Sequence, residues 1–171
     1  MPKDSNLFAE LSPQETMGKT RSINFRIASI FGLGEVRGWA GTVATLIAGI
    51  PCFIVAGRFS WQVQLTVCIV VSAIGWYVSE KTEMELGRSD PGEIVIDELC
   101  GYLVAMVGHS VSFPSILTGF FLFRLFDIWK PWPIRLVDRK LKGGIGVMGD
   151  DILAGIYANV LGLIVLKLLN Y

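Results

Sequence analysis

Charge is missing from long stretches of this chain. Gly38–Gly57, Phe59–Ser79, Leu99–Phe123 and Ile152–Leu166 contain no Asp, Glu, Lys or Arg. A run of about 20 apolar residues, rising ~1.5 Å each, matches a hydrocarbon core of roughly 30 Å. The third stretch is too long for one helix and is interrupted by VGHSVSFPS, residues 107–115. Its Gly108, three serines and Pro114 predict a tight turn there. The pattern therefore predicts an all-α, polytopic membrane helix bundle with about five transmembrane segments. These fall near 38–57, 61–80, 92–107, 114–129 and 151–169. SINFRIASIFG, near 22–32, predicts a short amphipathic helix along the membrane interface. Residues 1–21 read as a polar tail with no apolar core of a cleavable signal. Residues 22–171 read as a single membrane-embedded domain.

Alternating the segments across the bilayer sorts the charges. Thirteen of the fifteen Lys and Arg residues fall on one side; the exceptions are Arg58 and Lys167. The positive-inside rule makes that side cytoplasmic. All fifteen Asp and Glu residues lie there too, so the polar chemistry is concentrated at one face. Composition adds that 52% of residues are hydrophobic and 18% charged, with mean hydropathy +0.55. The formal net charge is zero, which gives no reason to expect a nucleic-acid partner. Cys52, Cys68 and Cys100 lie in apolar runs without metal-ligand spacing and read as small buried hydrophobes.

Asp90-Pro91-Gly92-Glu93 has the form of a helix start, with Asp at the N-cap, Pro at N1 and Glu at N3. On that reading Asp97 and Glu98 lie two turns into the helix, where capping does not explain them. Asp127 falls near the end of the fourth segment, and Asp150 and Asp151 open the fifth. Antiparallel alternation puts these five acids at similar depth. A lone carboxylate in hydrocarbon costs roughly 3 kcal/mol or more. Five together repel one another, so the cluster requires cations. Oxygen-only ligands without His or Cys suit Mg²⁺, or Mn²⁺; the alternative is interfacial acids paired with Arg and Lys. Gly101, Ala154 and Gly155 suit close helix packing with or without a site.

The loop KPWPIRLVDRKLKGGIGVMGD, residues 130–150, combines Lys130, Arg135, Arg139, Lys140 and Lys142 with Gly143, Gly144, Gly146 and Gly149. A basic, glycine-rich approach to a helix N-terminus suits phosphate, though a solvated positive-inside loop looks the same. Trp129 and Trp132 suit an interfacial belt. In FGLGEVRGWAGT, residues 31–42, Gly32, Gly34, Gly38 and Gly41 with Arg37 suit either a head-group wrap or a flexible entry to the first span.

Several chemistries are excluded. Cys52 and Arg58 have cysteine-phosphatase spacing, but the residues between them are purely apolar and lie at the end opposite the acids. With His109 as the sole histidine, no two-histidine mechanism is available. No nucleotide-binding G-x-x-x-x-G-K-[ST] loop occurs. A cation or proton transporter using intramembrane carboxylates is the alternative class. It predicts polar residues across the whole membrane, whereas the outer halves hold no acids.

DPGEIVIDELCG, FRLFDIWKPWPIRLVDR and GGIGVMGDDILAG, in this order and spacing, resemble the phosphatidylglycerophosphatase A family over roughly residues 28–166. The matching positions are Asp90, Asp97, Glu98, Gly101, Arg124, Asp127, Lys130, Pro131, Gly143, Gly144, Asp150 and Asp151. Relatives often read like PGTxGS near the first span, whereas this chain has AGTVAT from Ala40 to Thr45. The resemblance implies a Mg²⁺-dependent phosphatase of the bacterial inner membrane that converts phosphatidylglycerophosphate to phosphatidylglycerol and phosphate. Its substrate would be a phospholipid of the cytoplasmic leaflet. The expected metal and catalytic set is Asp97, Glu98, Asp127, Asp150 and Asp151, activating water. Arg124, Lys130, Arg135, Gly143 and Gly144 are expected to bind the substrate phosphate.

Overall fold

The computed structural model describes residues 21–36 and 38–171. The expected polar tail, apart from Arg21, and the expected role of Arg37 lie outside the described residues. Among those residues every regular element is helical.

Helix α1 (Ile23–Ala28) starts where the Ser22 hydroxyl accepts the Phe25 N–H at 3.1 Å. It buries Phe25 and Ala28. Ile30 and Phe31 then take positive φ, 46° and 55°, reversing the chain into a 3₁₀ turn at Leu33–Glu35. α2 (Ala40–Ala44) runs through a π turn (Thr45–Gly49) into α3 (Ile50–Ala56). The widened turn lies just before Pro51, which has no N–H to donate and crowds the turn behind it. α4 (Trp61–Leu86) is a single 26-residue helix ended by Gly87 in the left-handed conformation.

α5 (Ile96–Ala105) corrects the expected start at residue 92. Asp90 has φ 47° and gives its N–H to Glu83 at 2.5 Å, so it caps nothing downstream. Pro91–Val95 form a loop held by Ile94 N–H to Pro91 O and Val95 N–H to Ala28 O, both at 2.9 Å. Asp97 and Glu98 therefore sit in the first turn of α5, not two turns in. α5 is only ten residues long. Its far end is closed by Asn159, which donates to the carbonyls of Ala105 and Val107 at 2.9 and 2.8 Å.

α6 (Phe113–Trp129) begins at Ser112, with Pro114 in its first turn, and ends at Lys130 with φ 46°. The basic loop contains a further short helix, α7 (Ile134–Lys140), anchored by fully buried Ile134. α8 (Gly143–Leu168) corrects the expected start at 151: the glycine run is its first turns, and Asp150 and Asp151 lie two turns inside. Close approach explains the glycines. A Cβ at Gly144 would sit 2.2 Å from the Trp76 carbonyl oxygen. The Glu80 carboxylate caps this end by accepting the Gly144 N–H at 2.6 Å.

α8 is the central strut, packed against α4, α5, α6 and α7. At the α5–α8 crossing, a Cβ on Gly155 would lie 2.3 Å from the Gly101 carbonyl oxygen, so both backbones meet directly. Tyr102, Met106 and Phe123 fill the core behind them. α4 and α8 are long and apolar enough to cross a membrane; the Ala40–Ala56 stretch is apolar but shorter. Ile69, Trp76, Phe121, Leu125, Ile156 and Ile164 are exposed on α4, α6 and α8. That apolar perimeter suits lipid better than water.

Candidate active site

At one end of the bundle a cavity of about 760 Å³ opens between residues 34–36 and 38–41, the 89–98 loop and helix start, and the beginning of α8. All five sequence-predicted acids line it: Asp97, Glu98, Asp127, Asp150 and Asp151. α5 presents the first two from its opening turn. α8 presents Asp150 and Asp151 where it passes α5. α6 presents Asp127 from its last turn.

The five divide by partner. Asp127 Oδ2 lies 2.7 Å from Arg124 Nη1, one turn back on α6. Asp150 Oδ2 lies 2.5 Å from Lys130 Nζ, and Asp138 of α7 grips the same ammonium at 2.6 Å. The remaining three have no cation within ion-pairing distance among the described residues. One oxygen from each of Asp97, Glu98 and Asp151 lies within 4.8 Å of the others. Asp97 Oδ1, Glu98 Oε2 and Asp151 Oδ2 are buried and accept no hydrogen bond among the described residues. Three converging carboxylates that each keep a buried, unpartnered oxygen are costly by themselves. A hard divalent cation would satisfy them, and the all-oxygen donor set fits Mg²⁺ in kind.

The predicted phosphate-binding residues fare unevenly. Lys130 lines the cavity. Partial burial works against its charge, but the hydrogen bonds it donates to Asp138 and Asp150 outweigh that and push the amine above the ordinary lysine range. Arg124 lies beneath Gly41, where a Cβ would come 2.9 Å from its Nη1. Gly143 lines the cavity. Gly144 is buried and its N–H is already given to Glu80. Arg135 is exposed on α7 and is not among the cavity-lining residues.

Gly41 belongs to the divergent AGTVAT segment. A Cβ there would sit 2.1 Å from Glu98 Oε1, so this glycine is what lets the first span touch the acids. Thr45 stays within that segment, its hydroxyl donating to the Gly41 carbonyl at 2.8 Å. Asp138 and Glu80 were not singled out by sequence. Asp138 lies within a quoted motif, but nothing local announces its pairing with Lys130. Glu80 is simply the first charge after a long apolar run. At the rim, burial opposes the Glu93 charge, but the hydrogen bond from Arg88 at 2.8 Å prevails and holds its carboxyl below the usual range.

The family described as phosphatidylglycerophosphatase A matches residues 26–166, a span that contains all of this machinery. The chain belongs to the phosphatidylglycerophosphatase A family. It is accordingly an enzyme, a phosphatase. It is similar to "Phosphatidylglycerophosphatase A" of Escherichia coli (strain K12), 37% identical over 127 residues, which covers 74% of this chain and 73% of that one. The Haemophilus influenzae protein of the same name is 39% identical over 129 residues, 75% of this chain and 79% of the relative. A Bacteroides thetaiotaomicron protein, provisionally named a phosphatidylinositol-3-phosphatase, is 34% identical over 142 residues, 79% and 88% of the two chains. No solved structure gives a significant match.

Proposed function

We propose that this protein removes the terminal phosphate of phosphatidylglycerophosphate, leaving phosphatidylglycerol, with Mg²⁺ held by Asp97, Glu98 and Asp151. Asp127 and Asp150 complete the acidic set beside them. The chain crosses a bacterial inner membrane about five times, with the cavity facing the cytoplasm and the lipid tails in that leaflet. The family supports the substrate, and the charge asymmetry of the sequence supports the orientation. The observation that carries the metal assignment is the trio of buried carboxylate oxygens with no partner.

Bound there, Mg²⁺ supplies Lewis-acid neutralisation of the phosphoryl oxygens. The protein's own groups do the rest. Arg124 and Lys130, now lying against Asp127 and Asp150, turn toward the substrate's phosphate oxygens and hold the ester for in-line attack. A cavity carboxylate orients the attacking water and takes its proton. The bond from phosphorus to the glycerol oxygen breaks, and that oxygen leaves with a proton as the new hydroxyl. The short α5 keeps the acids at the head-group end of the bundle.

Purified protein in detergent is incubated with phosphatidylglycerophosphate, and released phosphate is measured with Mg²⁺, with chelator, and after Mg²⁺ is restored. Release that stops on chelation and returns with Mg²⁺ is expected. Undiminished release under chelator overturns the metal assignment, and no release under any condition overturns the substrate.

A further inference from the structure

Two carboxylates share one ammonium at the cavity wall. Lys130 Nζ lies 2.5 Å from Asp150 Oδ2 and 2.6 Å from Asp138 Oδ1. The Asp138 side chain is one-third exposed, and an ion pair so open to solvent contributes little to stability. Yet the fold devotes an element to it. α7 lies tightly on α8: a Cβ at Gly149 would sit 3.0 Å from Val137 Cγ1, and one at Gly146 would sit 2.7 Å from the Leu141 carbonyl oxygen. These two glycines let the short helix approach so closely. Fully buried Ile134 pins its first turn. Asp138 follows four residues later, on the same helix face, and lines the cavity. On the other side of the connection, Lys130 ends α6 with φ 46°, a conformation uncommon for a residue with a Cβ.

We infer that Asp138 is a positioning residue for the substrate's terminal phosphate: it retains the Lys130 ammonium while that ammonium passes from Asp150 to the phosphate. This rests on the phosphatase reading given above. An ammonium has three N–H donors. Two are given to Asp138 and Asp150, which leaves the third for a phosphate oxygen. Asp150 is the partner that the arriving phosphate displaces. It adjoins Asp151 of the acid trio, so a phosphate held at the trio crowds it with like charge. Asp138 belongs to a separate element and keeps its bond. Without Asp138, the flexible lysine would rest on Asp150 alone, and each binding event would have to break that pair and order the side chain afresh. Asp138 therefore acts on substrate binding rather than on the bond-breaking step.

Phosphate release from phosphatidylglycerophosphate is measured in detergent at saturating Mg²⁺ for wild type, Asp138→Asn, Asp138→Glu, Lys130→Ala and the Lys130→Ala/Asp138→Asn double variant. Asp138→Asn should raise KM about tenfold, the size of one charge-assisted contact, with kcat changed less than about threefold. Asp138→Glu keeps the charge and should recover most of the loss. In the Lys130→Ala background, adding Asp138→Asn should lower kcat/KM by less than about twofold, because its effect runs through the ammonium. A fall in kcat at unchanged KM, an equal loss with and without Lys130, no loss from Asp138→Asn, or no recovery by Asp138→Glu overturns the inference while leaving the phosphatase reading intact. Absence of wild-type activity on phosphatidylglycerophosphate overturns that reading and this inference with it.

Discussion

Asp151 sets burial against charge. Only 3% of it is exposed, and its Oδ2 has no hydrogen-bond partner. Without a cation it faces Asp97 and Glu98 across less than 4.8 Å, and like charges at that range repel. Asp151→Asn should therefore lower phosphate release by at least about 100-fold, as loss of a principal electrostatic group does. It should also raise the thermal midpoint of the metal-free protein and shrink the rise that Mg²⁺ produces. Fluorimetric melting in detergent, with and without Mg²⁺, reads both. An undiminished Mg²⁺ shift in the variant would remove Asp151 from the ligand set. Gly41 gives a second prediction at this scale. An alanine methyl would press on the ends of the Glu98 and Arg124 side chains rather than on backbone. Gly41→Ala should fold, yet lose about tenfold or more in kcat through displaced carboxylate geometry. A thermal scan beside the kinetic assay separates the two effects.

Among the elements, the α5–α8 pair fixes the acid triad, and its contact is backbone against backbone. Gly155→Ala would bring a methyl within 2.3 Å of the Gly101 carbonyl oxygen, with no flexible neighbour to give way. The helices must separate, which costs about 1–3 kcal/mol and spreads Asp97 from Asp151. Lower thermal stability together with weaker Mg²⁺ activation is expected; a stability loss with unchanged Mg²⁺ dependence would mean that the triad is set elsewhere. The sequence announced these glycines and the five acids, because small residues and charges stand out against an apolar background. It misplaced two helix starts, each for a physical reason. Asp-Pro-Gly-Glu has the chemistry of a cap, but the chain spends residues 91–95 docking onto α1 through Val95 N–H and Ala28 O. Gly143–Gly149 has the composition of a loop, since glycine costs about 1 kcal/mol per residue in a helix. Packing against α4 reverses that preference, because only glycine fits against the Trp76 carbonyl. The pairing of Lys130 with Asp138 was hidden because it depends on α7 folding back across a loop.

For the whole molecule, polarity is one-sided. The acid cavity lies at one end, while the other end is closed by neutral contacts. There Gln64 accepts the Gly108 N–H at 2.9 Å, and Asn159 holds the last carbonyls of α5. Between them the core is Tyr102, Met106, Phe123 and Ala158. A transporter needs polar groups along a continuous path, whereas this arrangement suits an enzyme that meets its substrate at one interface. Orientation then decides which leaflet supplies the lipid. Lys81 and Arg58 are both exposed and lie near opposite ends of α4. In a protein whose Cys52, Cys68 and Cys100 are replaced by alanine, Lys81→Cys and Arg58→Cys each offer a single thiol. A membrane-impermeant maleimide added to intact spheroplasts should label the residue-58 thiol directly. It should reach the residue-81 thiol only after permeabilisation. The reverse pattern would place the cavity on the outer face and break the link between the positive-inside charge bias and substrate supply. Labelling of both thiols in intact spheroplasts would mean that α4 does not cross the bilayer, leaving its exposed apolar face to be covered by something other than lipid.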